Sequence, residues 1–288
     1  MTDYQAFATA VNGGNNMSGK YAKLTANIGS ADAPIKTRIG NSSTKYFAGT
    51  LDGNGKTVYV TLTGTTGVGA VGYSGGATVL NLTVRGTITC SGNAMGAGGV
   101  VGTPVYAGGA VTTVKNCVNE ATVKNTHASS GNAGGIVGRS TANLLIENCV
   151  NKGEVSTAAN YAGGILGYSY KATTAPAPSV TIRNCRNEGT VSGKTGIGGI
   201  VGILMSNTGA AVQSVEGVTN TGSVTGTSQV GGIIGTIGSG AFTSITITYY
   251  EAGSSDDGGN YKVVGQDSNS NGNTAITKLE ATEVTLAA

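Results

Sequence analysis

The chain has 288 residues, a net charge of +3 and 11% charged side chains, with no Lys/Arg cluster, which argues against nucleic acid or an anionic membrane surface as a partner. Fifty glycines without a three-residue period exclude collagen, and no run of about twenty apolar residues exists to span a membrane. With four prolines, no tryptophan and abundant Thr, Ser, Asn and Val, the composition predicts short strands joined by tight corners.

The first predicted element is a helix over Asp3 to Val11, which places Tyr4, Phe7, Ala8 and Val11 on one face as a cap over the first coil. From about residue 61 the chain repeats a degenerate unit of about 33 residues. Its first signature is Asn116-Cys117-Val118-Asn119, repeated at Asn148 to Asn151 and Asn184 to Asn187, with a worn copy at Gly217 to Asn220. Its second is Gly98-Gly99-Val100-Val101-Gly102, repeated at Gly134, Gly163, Gly198 and Gly231. Repeats of this length are stacked units that share one core.

Alignment of the units gives each column a physical role. Val114, Ile146, Ile182 and Val215 are predicted to point inward, as are Cys117, Cys149, Cys185 and Val218 and the column of Val123, Val155, Val191 and Val224. Lys115, Glu147, Arg183 and Glu216 point outward and alternate in sign, as do Glu120, Lys152 and Glu188, which predicts parallel stacking in register. Asn116, Asn148 and Asn184 suit the left-handed backbone of a sharp corner. Each Gly-Gly-aliphatic-aliphatic-Gly segment is predicted to form a further wall. The fold expected is all-β: a right-handed parallel β-helix over residues 1–265, with cap and first coils at 1–60, repeat coils at 61–247 and a closing cap at 248–265. Residues 266–288 are expected to be a tail or the start of an Ig-like module. Met1-Thr2-Asp3-Tyr4 has no signal-peptide character, so the chain is expected to be part of a longer secreted protein with flanking domains.

These repeats, with Tyr21 to Ile28, Phe47 to Val58 and Tyr249-Tyr250, resemble the GLUG-type repeats of bacterial surface proteins. Such repeats occur in adhesin-type proteins and in non-catalytic parts of some IgA-specific metallopeptidases. The resemblance implies a bacterial cell-surface or otherwise extracellular location and a scaffold role. It leaves the ligand open.

The chemistry of the chain points away from catalysis. Its single histidine, His127, belongs to no His-Glu-x-x-His, so the zinc site of a peptidase is missing, and no Ser-His-Asp triad is supported. Equivalent cysteines in adjacent coils sit side by side at about the 4.8 Å strand spacing, wider than a disulfide allows, which predicts a column of buried thiols with Cys90 also free. Repeated aspartates of a calcium-winding solenoid are absent. No metal or cofactor is expected. Variable connections follow the glycine segments, and Tyr106, Tyr168, Tyr170 and Lys171 there are the expected ligand-binding residues, offering stacking faces and donors to an extracellular glycan or protein. A second variable edge carries His127, Tyr161 and Lys194. The expected function is a non-catalytic adhesin-like binder or a spacer. The alternatives are a carbohydrate-active lyase or hydrolase, which would need paired acids in a groove, and, more remotely, an ice-binding solenoid carrying regular threonines.

Overall fold

The structure is a computed structural model and describes residues 2–169, 178–205, 211–239, 242–252, 255–256, 262–269 and 272–280. One helix, α1 (Thr2–Asn12), precedes a stack of short strands, every pair of which is parallel. The chain is a parallel β-solenoid. Successive coils are marked by Val71, Val101, Val137, Leu166, Val201, Ile234 and Val264, each paired with the next. Coil length runs from 29 residues (Val137 to Leu166) to 36 (Val101 to Val137), and the differences are taken up in the connections.

The alternation of side chains along a strand explains the walls. Ala22, Leu51, Val79, Val114, Ile146, Ile182, Val215, Ile247 and Ile276 form one register column. From Leu51 to Ile247 every member is at most 2% exposed. Burial of each such side chain contributes roughly 1.5–3 kcal/mol. Cys117, Cys149 and Cys185 lie beside this column, buried and free of disulfides. The Cys149 sulfur accepts from the Cys117 N–H at 3.4 Å, and Cys185 does the same for Cys149. Burial pushes the Cys117 and Cys185 thiols up from their ordinary range, so they stay protonated.

The two asparagines of each Asn-Cys-x-Asn signature do different work. Asn81, Asn116, Asn148 and Asn184 have φ between 52° and 53°, and the worn copy substitutes Gly217 at φ 58°, a conformation that other side chains adopt only with strain. The second asparagine forms a ladder that no solvent reaches. Asn119 Nδ2 donates to Asn151 Oδ1 at 2.8 Å, Asn151 to Asn187 at 2.7 Å and Asn187 to Asn220 at 2.8 Å, and all four residues are 0% exposed. Each amide also donates to the carbonyl two residues on, so a buried polar column is satisfied along its length.

The glycine segment departs from the single wall expected of it. It is a corner. In one coil Asn132–Gly134 joins a five-stranded sheet and Val137–Ser140 a seven-stranded one, with Gly135-Ile136 turning between them. The two sheets meet backbone to backbone there, because a Cβ on Gly134 would lie 1.9 Å from the Val137 oxygen. The turn stays bonded to the next coil through Gly135 N–H to Gly163 O at 3.1 Å and Ile136 N–H to Ile165 O at 3.1 Å. The corner also divides the interior. Val155, Val191 and Val224 pack with Ala133, Ala162, Ile197 and Val230 in a small second core, apart from the main one.

The two charge columns behave differently. Glu147 bridges Lys115 at 2.8 Å and Arg183 at 3.7 Å, as alternating signs predict, and the Lys115 hydrogen bond lowers its pKa. The second column does not pair with itself among the described residues: Glu120 meets Arg85 at 2.5 Å and Glu188 meets Arg186. Residues 120, 152 and 188 follow the corner outside any strand, so nothing holds their side chains in ladder register.

The two ends are built differently. At the N-terminus Tyr4, Ala8 and Val11 of α1 are buried against the first coils, and Phe7 meets Phe47 edge to face at 5.7 Å. At the other end, Phe242–Glu251 pairs with Ala211–Asn220 as a full strand, which carries residues 248–251 into the stack. Val264–Asp267 and Thr274–Lys278 then add parallel strands beyond the expected boundary at 265. This last coil lacks both signatures, which is why the repeat does not reveal it.

Candidate functional site

The glycine corner lays the outer side of one strand against residues of the strand before it. In register, Arg139 pairs with Tyr168, Tyr168 with Ile203 and Ile203 with Thr236, all directly after the last glycine of the signature. Facing them is the column of Tyr161, Gly196 and Gln229, whose φ values are 63°, 69° and 56°. The left-handed backbone at Tyr161 and Gln229 turns their side chains toward the column that begins at Arg139. Gln229 receives a hydrogen bond from Thr236 at 2.9 Å, and the Tyr161 ring sits 5.2 Å from the Tyr168 ring, tilted by 48°.

The Arg139 guanidinium lies over the Tyr168 ring at 5.8 Å and donates to the Ala94 carbonyl. The Tyr168 hydroxyl reaches Met205 Sδ at 3.1 Å. Ala94, Ser130, Asn132, Arg139, Tyr161 and Tyr168 line a cleft of about 80 Å³. Burial raises the Tyr161 pKa, which keeps the phenol neutral and able to donate. A left-handed conformation costs a bulky residue about 1–2 kcal/mol, and the next coil avoids the cost by placing glycine there. The cleft therefore gathers two aromatic rings, a cation and polar edges in one small concavity.

The expected binding residues are distributed unevenly around this cleft. Tyr168 lines it. Tyr106 lies on the connection after Val101–Pro104 and is 48% exposed. Tyr170 and Lys171 fall outside the described residues. Tyr161, assigned in the sequence to a separate edge, packs on Tyr168, whereas His127 takes part in a local turn in which its Nδ1 accepts from the Ser130 N–H at 3.1 Å. Arg139 carries no motif of its own in the sequence. Its signal was its position, since Gly138-Arg139-Ser140 and Gly167-Tyr168-Ser169 align residue for residue.

Asp52, which opens the turn Asp52-Gly53-Asn54-Gly55, has a structural setting. It accepts from the Tyr21 hydroxyl at 2.5 Å, the Asn81 amide at 3.0 Å and the Asn54 N–H at 2.8 Å. These bonds, led by Tyr21, lower its pKa below the usual carboxylate value of about 3.9. A depressed folded-state pKa contributes stability that is present above the unfolded value and is lost as pH falls through the folded one. Thermal melts across pH 2–6 should therefore show Asp52→Asn less stable than the wild type above about pH 4, with the gap closing at lower pH. Parallel curves would remove Asp52 as a source of acid lability.

No family model and no curated protein matches the chain. Among solved structures it is similar to a Bacteroides ovatus protein described as a "putative immunoglobulin A1 protease", with a TM-score of 0.53 and 18% identity over 97% of this chain and 82% of that one. At this identity the likeness establishes a shared fold.

Proposed function

We propose that the chain is a non-catalytic module of an extracellular or surface-displayed bacterial protein. In this reading the Tyr161–Tyr168–Arg139 cleft binds a glycan or protein ligand, and the rod holds that cleft away from its attachment. The observation that carries it is Tyr161, kept in a costly conformation that places its ring at the cleft. The resemblance to GLUG-type repeats and the fold shared with the Bacteroides ovatus protein support the setting. The engagement of Asp52, Glu120, Glu147 and Glu188 in hydrogen bonds and ion pairs within the solenoid favours binding over hydrolysis. An array of host and bacterial glycans and matrix proteins tests the proposal. Specific binding is expected, and Tyr168→Ala should weaken it at least about tenfold, since loss of a buried aromatic contact commonly costs more than 1 kcal/mol. Binding unchanged in Tyr168→Ala would remove the cleft as the site, and a blank array would leave only the spacer.

A further inference from the structure

We infer that the free edge of the first coil accepts an extended peptide strand beside α1. Tyr21–Lys23 is the first strand of its wall and pairs on one side only, with Thr50–Asp52. Alternate residues of a parallel strand bond to one neighbour. The Lys20 carbonyl and the Leu24 N–H are bonded to Thr50–Asp52, and Ala22 lies between them in the same alternation. The N–H and C=O groups of Tyr21 and Lys23 therefore point the other way, where no strand pairs among the described residues.

A cleft of about 460 Å³ lies on that side, between Asp3, Tyr4 and Phe7 of α1 and the segment Ala22 to Ile28, which brings the apolar Ala22, Leu24 and Ile28 together with Lys23. The helix covers the interior of the core, where Tyr4, Ala8 and Val11 are buried, and leaves the edge of the wall open. A single extended strand fits this space. The end of a second solenoid does not, because α1 already occupies the position above the core.

Register and charge specify the occupant. Ala22 begins the inward column that continues through Leu51 and Val79, so the residue beside it should be aliphatic. Lys23 begins the outward column that continues through Asp52, Leu80, Lys115, Glu147, Arg183 and Glu216. Its charged members alternate in sign, and the Lys115–Glu147–Arg183 contacts show such neighbours meeting. The position beside Lys23 should therefore carry an acid. The partner is an extended segment with an aliphatic residue followed directly by a glutamate or aspartate, held by main-chain hydrogen bonds as in strand addition.

Fluorescence anisotropy of labelled peptides of about eight residues, built on a Thr-Val-Glu-Val-Thr centre, tests this with the full chain. Saturable binding is expected. N-methylation of the backbone amides that face the edge should weaken it about tenfold, the loss expected from two hydrogen bonds. Lys23→Glu should weaken it about fivefold, and a lysine in place of the peptide's glutamate should restore it. Thermal melts of Lys23→Glu establish that the variant folds, and Tyr168→Ala should leave peptide binding unchanged. No anisotropy change for any peptide would overturn the inference, as would binding indifferent to N-methylation or failure of the charge swap to restore affinity.

Discussion

Replacing Gly135 with alanine should lower the unfolding midpoint by about 10 °C, which corresponds to a loss of about 4 kcal/mol. The new Cβ would lie 2.1 Å from the Gly164 oxygen and 2.3 Å from Asn151 Cγ. Neither neighbour can yield cheaply. One is the backbone of the next coil, and the other is a buried amide fixed by bonds on both sides. Relief would require the two coils to move apart, which would stretch the bond from Gly135 N–H to Gly163 O. Because a solenoid can unfold in parts, the measurement should pair thermal melting with hydrogen exchange across residues 132–140. Thr190→Ala, at an exposed position, serves as control and should change stability by no more than about 0.5 kcal/mol.

Asn151→Leu should be similarly damaging, for a different reason. Leucine matches the hydrophobic surroundings but leaves three buried groups short of a partner: one N–H of the Asn119 amide, the Asn187 amide oxygen and the Gly153 carbonyl. At roughly 1–3 kcal/mol for each orphaned group, with some relaxation, the loss should reach about 4 kcal/mol in chemical denaturation. The other asparagine of the same signature should behave in the opposite manner. Asn148 is exposed and its role lies in its φ of 53°, so Asn148→Gly should be nearly neutral and Asn148→Ala should cost about 1 kcal/mol. A comparable loss in Asn148→Gly and Asn151→Leu would contradict the division of labour between the two.

That division marks the limit of what the sequence shows. The inward columns were legible because aliphatic residues recur at fixed positions, and the left-handed role of Asn116, Asn148 and Asn184 followed from residue type and the glycine in the worn copy. The cap also followed from pattern, since Tyr4, Phe7, Ala8 and Val11 share one helical face. Asn119, Asn151, Asn187 and Asn220 recur just as strictly, yet a buried asparagine and a corner asparagine look alike in sequence. The partner that permits burial is the same residue one coil away, so the ladder exists only once the coils are stacked.

The Gly-Gly corner was hidden by the same cause. Five residues with an aliphatic centre read as a strand, and only the backbone contact between Gly134 and Val137 shows that the chain turns inside them. Charge alternation misled for Glu120, Lys152 and Glu188 because a ladder needs strand geometry as well as opposite signs. Of the candidate site, the aromatic character was visible and the juxtaposition was not. Tyr161 and Tyr168 are close in sequence, but a strand-by-strand reading places them on separate edges. Their meeting depends on the corner and on the left-handed backbone at Tyr161.

In the proposed function the strained tyrosine serves binding, and Tyr161→Gly isolates that role. Glycine already occupies the equivalent position at Gly196, where φ is 69°. The substitution should therefore leave thermal stability unchanged or raise it, because backbone strain is relieved as ring contacts with Tyr168 are lost. The decisive measurement is ligand binding by this variant on the glycan and matrix-protein array, with its melting temperature taken in parallel. An intact fold with binding reduced at least about tenfold is expected. A stable Tyr161→Gly variant that binds as well as the wild type would contradict it.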